Sequence, residues 1–324
     1  MTQGAALLSL KVPVDNEKRI KREVLLSCRP EDYYHQGAYL NAMIGRFANR
    51  VGNAVLRYPH ESLTEESKVV NLSKNHGDHC LHGGEIGFDK KEWTVLKKEK
   101  DHVSLKLFSE DGDQGFPGNC ETVVEYKLID NEFQIEIKAE VSKPCPINIT
   151  NHAYFNLDGK RSDIRDHFVF IDASHYLPID KEGLPLPNSP FPVEDAMDLR
   201  TLSKLRDKKH DQLILGEGFD HCYLPNSYTK EVPSVAAIAV SSDELLKMEV
   251  WTNQQGLQFY TGNFIGGTPC RDGGVYEAYE ALCFEAQSLP DSPNRPELGN
   301  PWVMPGQIYH YKTSYRFYSN FGPS

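Results

Sequence analysis

FQIEIKAEV, residues 133–141, alternates apolar and polar side chains from its first residue to its last. Every second residue is apolar: Phe133, Ile135, Ile137, Ala139 and Val141. Because successive side chains of a β-strand point to opposite faces of the sheet, this stretch predicts a strand with one buried face and one solvated face. Such alternation is typical of antiparallel sheets, whose outer face can meet water.

Short stretches of the same kind recur along the chain. They are VSLKLF (103–108), VVEYKL (123–128), LKMEV (246–250), LQFYTGNF (257–264), LCFEAQ (282–287) and YKTSYRFY (311–318). Clusters of glycine, proline, asparagine and aspartate separate them, as in DGDQGFPGN (111–119), and favour turns. Long amphipathic patterns are nearly absent, and the best short helical candidates lie at 61–67 and 201–207. We therefore predict an all-β fold, a large antiparallel β-sandwich or barrel with few short helices, forming one domain over 1–324.

The composition argues against several classes of partner. The chain has 324 residues, with 35 lysines and arginines against 46 aspartates and glutamates, and its net charge is −11. Nucleic acids and membranes attract basic surfaces, so neither is an expected partner, and a neutral small molecule remains open. The seven cysteines are scattered and include no C-x-x-C pair, which favours reduced thiols in the cytoplasm over a disulfide framework. The N-terminal apolar run GAALLSLKV is too short to span a membrane.

Glu285 and Gln258 stand inside strands that are otherwise largely apolar or aromatic. Glu285 lies on the strand face opposite Phe284, so it points either to solvent or into a cleft. An unpaired buried amide costs about 1–3 kcal/mol, so Gln258 is either satisfied within the core or bound to a ligand. The proline-rich loop at 289–297 follows Glu285 at once, and functional sites collect on loops at strand ends.

NHGDHCLHGG (75–84) contains three histidines, His76, His79 and His82. Histidine clusters are common zinc sites, but this spacing on an extended chain directs neighbouring histidines to opposite faces. No H-E-x-x-H or C-x-x-C pattern accompanies them. We expect a surface loop without a metal, in which His82 is the candidate for a ligand site because the following glycines allow close approach of backbone.

His152 lies in ITNHAYFNLDG (149–159), beside Tyr154 and Phe155. A histidine among aromatic residues has two possible roles. It either packs in the core and satisfies one hydrogen bond, or it holds a proton for chemistry. This stretch alone leaves the choice open.

Two further segments offer charged side chains. IGRFANRVG (44–52) contains Arg46 and Arg50, and GFDHCYL (218–224) contains Asp220. Guanidinium groups suit carboxylates, phosphates and sugar hydroxyls, although a structural ion pair is the plain alternative for either arginine. Asp220 is either a turn residue or a ligand-binding carboxylate.

Seven stretches, in chain order, closely resemble the aldose 1-epimerases, or galactose mutarotases. They are IGRFANRV, LHGGEIGFDKKEW, DGDQGFPGN, PINITNHAYFNLDG, GFDHCYL, GLQFYTGNF and FEAQSLPDSPN, and the match runs from about 37 to 318. The resemblance implies the galactose mutarotase-like supersandwich, with an open cleft for a free hexose. It also implies an isomerase that interconverts α- and β-anomers of sugars such as galactose and glucose, without cofactor or metal.

The resemblance further implies roles for individual residues. His152 would be the general acid at the ring oxygen, and Glu285 the general base at the C1 hydroxyl. The expected sugar-binding residues are Asn49, Arg50, His82, Asp220 and Gln258. This chemistry needs Glu285 ionised and His152 protonated; a nearby carboxylate favours the charged imidazole, whereas burial opposes it.

Four positions depart from the family's pattern, and two alternatives stay open. Ala153 replaces a serine, Ala286 a proline, and His79 and Cys222 each replace an asparagine beside a proposed site residue. A hexose-6-phosphate 1-epimerase on the same fold would need more cationic groups than a net charge of −11 favours. A non-catalytic sugar-binding protein would not need both His152 and Glu285. We expect a monomer or weak homodimer in the cytoplasm.

Overall fold

The computed structural model describes residues 1–15, 19–58, 69–206 and 208–319. The strands, in chain order, are β1 (Lys11–Pro13), β2 (Lys21–Glu23), β3 (Met43–Ile44), β4 (Arg50–Val51), β5 (Val55–Arg57), β6 (Val69–Asn71), β7 (Cys80–Leu81), β8 (Thr94–Lys98), β9 (His102–Ser109), β10 (Cys120–Ile129), β11 (Glu132–Val141), β12 (Cys145–Pro146), β13 (Thr150–Asn151), β14 (Phe168–Ile171), β15 (Ala173–Leu177), β16 (Phe191–Pro192), β17 (Ser203–Lys204), β18 (Asp220–Pro225), β19 (Ser234–Val240), β20 (Leu246–Thr252), β21 (Gly256–Tyr260), β22 (Cys283–Gln287), β23 (Trp302–Val303) and β24 (Tyr309–Ser319). In these ranges the helical segments are α1 (Asp211–Leu215) and 3-10 turns at Pro30–Tyr34, Gly52–Ala54, Phe88–Lys90, Asp113–Gly115, Ile164–Asp166, Asp195–Met197 and Pro296–Leu298.

Nine strands form the larger sheet, in the order β17-β14-β19-β20-β24-β11-β10-β9-β8. Its strand pairs are antiparallel. The alternating stretch 133–141 lies inside this sheet as β11, where Ile135 faces Tyr126 on β10 and Phe133 faces Tyr315 on β24. Its apolar residues are all buried and its polar residues are more exposed, which confirms the alternation predicted from the sequence.

A smaller antiparallel sheet has the order β16-β15-β18-β21-β22. One hydrophobic core joins it to the larger sheet and contains Ile135 and Tyr315 from one sheet and Phe259 and Phe284 from the other. The hydroxyl of Tyr315 donates a 3.1 Å hydrogen bond to the carbonyl of Phe284, which links the sheets directly. Two sheets that meet through their apolar faces form the predicted β-sandwich.

The predicted strands are confirmed, with shifts at their ends. The largest shift is in LQFYTGNF, where β21 ends at Tyr260 and the following residues turn away. All seven cysteines are buried and carry free thiols, as predicted. Within the described ranges, no helix has the length and apolar character needed to cross a membrane.

The helical prediction at 201–207 is wrong. Its described residues contain the short strand β17, which pairs with Phe168 and Val169 at the edge of the larger sheet. Pairing with an existing edge here outweighs a weak local helical pattern. The α-helix begins later, after His210, whose Nδ1 accepts the backbone N–H of Gln212 and caps the first turn. The other helical candidate, 61–67, lies outside the described residues.

Candidate active site

Three neighbouring strands of the smaller sheet carry polar side chains on the face that points away from the core. The register pairs Gln258 of β21 with Glu285 of β22, and Asp220 begins the adjacent strand β18. The side-chain amide of Gln258 donates a 2.7 Å hydrogen bond to Oδ1 of Asp220. Glu285 is 2% exposed, so of the two alternatives for this carboxylate the structure shows the cleft and not the solvated face.

The carboxyl group of Glu285 is unusually isolated for a buried acid. Its Oε2 has no hydrogen-bond partner among the described residues, although buried polar atoms are normally paired. Burial raises the pKa of Glu285 well above its usual value, and the nearby carboxylate of Asp220 raises it further, whereas Arg50 opposes the shift. An unpaired oxygen in this position is available to a hydroxyl of a ligand.

His152 is held by its backbone and by the rings around it. Its N–H donates to the carbonyl of Ala42 at 3.0 Å, and its carbonyl accepts from the N–H of Asn41 at 2.9 Å. The imidazole lies nearly parallel to the ring of Tyr154, at 4.8 Å between centroids, and to that of Tyr39, at 6.1 Å. Burial lowers the pKa of His152 to about 4. The aromatic neighbours therefore fix the ring, and its burial keeps it neutral.

His152 and Glu285 lie close enough to share one ligand. Nε2 of the imidazole is 3.6 Å from Oε1 of the carboxyl group. Burial disfavours the charged form of each, so it favours a carboxylic acid beside a neutral imidazole. From the sequence alone, the pKa of His152 could be lowered by burial or raised by a nearby carboxylate. In the structure the effect of burial is the larger one. The neutral pair and the ion pair contain the same single proton and differ only in which residue carries it.

His82 faces the same pair and has a defined tautomer. Its Nδ1 accepts the backbone N–H of Asn49 at 3.1 Å, so the proton of the neutral ring lies on Nε2. Burial, and next the neighbouring His152, lowers the pKa of His82 well below its usual value. Ligand atoms of His82, His152 and Glu285 lie within 4.8 Å of one another, as a metal site would require. A metal, however, needs a lone pair on Nε2 of His82, so this triad fits an accepting ligand oxygen better.

Arg50 and the preceding Asn49 lie outside the smaller sheet, and Arg50 reaches the polar side chains from β4. Oδ1 of Asn49 accepts from the backbone N–H of Arg50 at 2.9 Å and from its Nη1 at 3.4 Å. Nη2 of Arg50 lies 3.8 Å from Oδ2 of Asp220. Nε of Arg50 is buried and has no hydrogen-bond partner among the described residues. The guanidinium group is therefore held beside Asp220 with donor capacity left for a ligand.

Arg46, the other arginine of this segment, has a structural role. Its guanidinium is buried and donates to the carbonyl oxygens of Ser109, Glu110, Pro117 and Gly118. These contacts hold the two ends of the turn that follows β9. Of the two arginines in IGRFANRVG, Arg46 therefore stabilises a turn and Arg50 lines the cavity described below.

The site residues surround a cavity of about 250 Å³, slightly below the range of about 300–1,000 Å³ that is usual for ligand sites. Its lining includes six of the seven predicted residues: Asn49, Arg50, His82, His152, Asp220 and Glu285. Gln258 does not line the cavity and reaches it through its hydrogen bond to Asp220. A larger groove of about 880 Å³ runs past Trp302 and Tyr311, but none of the predicted site residues lines it.

Several lining residues were not predicted from the sequence. They are Tyr39, His76, Tyr154, Tyr260 and Phe264, with small or apolar neighbours. Tyr260 shares the strand face of Gln258, so strand alternation was a usable signal for it. Tyr39 belongs to a loop and has no periodic signal of its own. His79 points away from the cavity, and its Nε2 lies 3.2 Å from Oε2 of Glu182.

Three residues of the cavity have backbone conformations that most side chains avoid. Tyr39, Asn49 and His82 have positive φ angles of 57°, 65° and 53°. Such left-handed conformations cost on the order of 1–3 kcal/mol for residues other than glycine. Asparagine tolerates the conformation best of the three. The surrounding structure thus imposes local strain at the points where these side chains turn toward the cavity.

Comparisons with known proteins are consistent with one another. A family model described as aldose 1-epimerase matches residues 1–316. The aldose 1-epimerase of Escherichia coli (strain K12) is 42% identical over 323 residues, covering 98% of this chain and 90% of the relative. The galactose mutarotase of Homo sapiens is 36% identical over 318 residues, covering 97% and 89% of the two chains.

Solved structures show the same similarity. An aldose epimerase homologue from C. elegans superposes with a TM-score of 0.87 at 25% identity, covering 98% of this chain and 94% of that chain. A galactose 1-epimerase from Lactobacillus acidophilus NCFM superposes with a TM-score of 0.81 at 27% identity, covering 98% and 90%. Both superpositions span the two sheets, so the galactose mutarotase-like sandwich that the resemblance implied is confirmed.

Proposed function

Because this chain belongs to the aldose 1-epimerase family and is an isomerase, we propose that it interconverts the α- and β-anomers of a free hexose such as galactose or glucose. We assign Glu285 as the general base at the C1 hydroxyl and His152 as the general acid at the ring oxygen. The observation that carries this assignment is the 3.6 Å distance between Nε2 of His152 and Oε1 of Glu285, both lining one cavity.

The single proton of the pair suffices for the reaction. A C1 hydroxyl that donates to Glu285 stabilises the carboxylate, and a ring oxygen that accepts from His152 stabilises the imidazolium. Glu285 takes the hydroxyl proton while the bond between C1 and the ring oxygen breaks, and His152 delivers its proton to that oxygen. The bond electrons stay on the oxygen, and C1 becomes an aldehyde. Each positioned acid or base typically contributes about 10²–10⁴-fold to the rate.

Ring closure reverses these transfers. Rotation about the bond between C1 and C2 presents the other face of the aldehyde to the ring oxygen. His152 then removes the proton from that oxygen, and Glu285 returns a proton to the new C1 hydroxyl. The pair finishes in the protonation state in which it began, so one site catalyses both directions.

The remaining polar side chains suit the hydroxyls of a sugar. We assign Asn49, Arg50, Asp220 and the Nε2–H of His82 to direct hydrogen bonds with the hexose. Gln258 supports them by orienting Asp220 through its 2.7 Å hydrogen bond. The cavity is lined by both donors and acceptors, and a hydroxyl group can bond to either.

The charges of the cavity favour a free sugar over a sugar phosphate. Among the described residues that line it, Arg50 is the only lysine or arginine. The carboxyl groups of Asp220 and Glu285 line the same cavity. A phosphate dianion would meet one cation already paired with Asp220, together with a second acid. We therefore do not favour the hexose-6-phosphate alternative.

Three further properties are part of the proposal. We propose that the protein acts in the cytoplasm, which is supported by its seven free, buried thiols. We propose that the chain forms one domain, since a single hydrophobic core includes residues of both sheets. We also propose that catalysis needs no cofactor or metal, because the tautomer of His82 leaves its Nε2 without a lone pair for a metal.

Polarimetry of freshly dissolved α-galactose tests the proposed activity. We expect purified protein to accelerate the decay of optical rotation, with or without a chelator. Replacing Glu285 by Gln keeps the size of the side chain and removes the base, so kcat should fall at least about 100-fold. A decay no faster than in buffer would remove the proposed function. Near-normal activity of E285Q would place the base elsewhere, and loss of activity on chelation would restore the metal alternative.

A further inference from the structure

A loop at 179–186 lies beside the cavity without lining it. Oδ1 of Asp180 accepts the backbone N–H groups of Glu182 at 2.8 Å and Leu184 at 3.0 Å. The backbone N–H of Asp180 donates to the carbonyl of Leu184 at 2.9 Å, which closes the turn. The loop therefore has a defined shape of its own, although none of its residues takes part in the proposed chemistry.

The tip of this loop touches the side chain of Arg50. Gly183 has a φ angle of +78°, and a Cβ atom at this position would lie 2.7 Å from both Cζ and Nε of Arg50. Glycine allows the backbone to approach the guanidinium this closely and to adopt this φ without a steric cost. Gly183 thus packs directly against the guanidinium group of Arg50.

Both legs of the loop are anchored to the body of the protein. The side chain of Gln212 accepts from the N–H of Ile179 at 2.7 Å and donates to its carbonyl at 3.1 Å. The guanidinium of Arg295 donates to the carbonyls of Pro185 at 2.7 Å and Leu186 at 3.1 Å. These contacts restrain the ends of the loop. Within the loop, the N–H of Gly183 donates to the carbonyl of Asp180 at 3.0 Å.

His79 contacts the tip from outside the loop. Its Nδ1 accepts the backbone N–H of Asn53 at 3.0 Å, so the neutral ring carries its proton on Nε2 and donates it to Glu182 at 3.2 Å. The side chain of His79 is 5% exposed, whereas that of Glu182 is 55% exposed. An asparagine at position 79 could still accept from Asn53, but its shorter side chain would not reach Glu182. This contact therefore depends on the histidine that this chain has here.

We propose that the 179–186 loop is a positioning element of the sugar site, in which Gly183 sets the guanidinium of Arg50 and the contact between His79 and Glu182 keeps Gly183 in place. The inference rests on the mutarotase activity proposed above. None of these three residues touches the substrate. They act on the sugar through Arg50, so they belong to binding and not to proton transfer.

Replacing Gly183 by Ala tests the contact with Arg50. The added Cβ would displace the flexible guanidinium, so we expect KM for galactose to rise roughly tenfold while kcat stays within about twofold, as for loss of a uniform binding contact. The Kd of 1-deoxygalactose, which lacks the C1 hydroxyl and cannot react, should rise by the same factor. Gly306→Ala is the matched control, because Gly306 has a similar φ of +85° and no neighbouring atom within 4 Å of its Cβ position.

Variants of Glu182 and His79 test the contact that holds the tip. Glu182→Ala should raise KM roughly threefold, and Glu182→Gln should restore it, because the amide oxygen still accepts from Nε2 of His79. His79→Asn should match Glu182→Ala, and the double variant should add nothing further, since both changes remove one contact. A purely structural loop would lower the melting temperature in these variants and leave KM unchanged.

The outcomes separate this inference from the proposed function. An active wild type whose G183A variant has the KM and Kd of the G306A control would overturn the role of Gly183. Equal KM values for the wild type, E182A and H79N would overturn the role of the His79 contact. A wild type without mutarotase activity would remove the proposed function and this inference with it.

Discussion

Burial leaves the acid–base pair of His152 and Glu285 without net charge. Burial favours the neutral form of each group, and the two states of the pair differ by one short transfer of a proton. A neutral sugar can therefore bind without first meeting a charge on either member of the pair. The hydrogen bonds of the substrate then stabilise the charged arrangement that the reaction uses.

The pH dependence of kcat/KM tests this description. The active pair holds one proton, so activity should fall at low pH as His152 gains a second proton, with half-maximal kcat/KM near pH 4. Activity should also fall on the alkaline side once the pH passes the raised pKa of Glu285, because the pair then loses its proton. Polarimetry with subtraction of the buffer rate would measure both limbs, with circular dichroism to confirm that the protein stays folded.

An acid limb near pH 6.5 would contradict the prediction. That value is the ordinary pKa of histidine, and it would show that substrate binding or solvent, and not the buried setting, decides the protonation of His152. The position of the acid limb therefore distinguishes a buried neutral imidazole from an ordinary exposed one.

The sequence predicts the identity of the site residues better than their chemical state. Glu285 was visible as a carboxylate inside an apolar strand, and His152 as an imidazole among aromatic residues. Their pKa shifts depend on burial and on Asp220, which strand pairing brings near Glu285. Tyr39, which stacks on His152, comes from a loop more than 100 residues away in the chain and gave no local signal.

Turns and strands around the site are held by single buried side chains. Arg46 is the clearest case, because its guanidinium donates to carbonyl oxygens at both ends of the turn between β9 and β10. Its Nε also donates to the hydroxyl of Ser109 at 3.0 Å. Without the guanidinium, those buried carbonyls would lose their hydrogen-bond donor.

Replacing Arg46 by Met should therefore destabilise the fold without removing a site residue. Each hydrogen bond from a charged donor contributes about 1.5–3 kcal/mol, so we expect the free energy of unfolding to fall by at least ~3 kcal/mol. Urea denaturation followed by circular dichroism would measure it. Folded R46M should keep the KM of the wild type at low temperature. A loss of stability below ~1 kcal/mol would show that water replaces the guanidinium at these carbonyls.

Local patterns predict the strands well and the loops poorly. The burial of β11 follows its alternation residue by residue, because an antiparallel strand has one face in the core. The helical candidate at 201–207 failed since pairing with β14 decided its structure. The contact of Gly183 with Arg50 had no precursor in the sequence, because neither residue departs from an ordinary turn or strand pattern.

Four buried histidines make the stability of the whole fold sensitive to acid. Burial lowers the pKa of His152 and His167 to about 4 and that of His221 to about 3, and it lowers the pKa of His82 as well. The folded chain thus keeps these rings neutral at a pH where the unfolded chain protonates them. Stability from this source is complete above pH 6.5 and is lost as the pH falls toward 4.

His167 offers the test, because it lies outside the catalytic cavity. Its Nε2 accepts the N–H of Leu157 at 3.1 Å, and the side-chain oxygen of a glutamine can take that place. His167→Gln removes the titrating ring, so the gap in stability between the wild type and H167Q should narrow by about 2 kcal/mol from pH 7 to pH 5. Urea denaturation at several pH values would measure the gap. A constant gap would mean that His167 is protonated in the fold or titrates equally in both states.

The assembly of the site from distant segments limits what a sequence can predict alone. Segments near residues 39, 50, 82, 152, 220, 260 and 285 line one cavity beside the smaller sheet. Apart from the loop that contains Tyr39, each segment has a polar or charged side chain that the sequence alone singles out. The resemblance to a family joined them, whereas the distances that define the chemistry come only from the folded sandwich.

The left-handed residues Tyr39, Asn49 and His82 create a conflict between robustness and activity. Glycine at these positions would relieve the backbone strain, since it adopts positive φ angles without a steric cost. The same exchanges would remove the Tyr39 ring stacked on His152, the Asn49 amide beside Arg50 and the Nε2–H donor of His82. At these three positions, selection for stability and selection for catalytic activity are therefore expected to favour different residues.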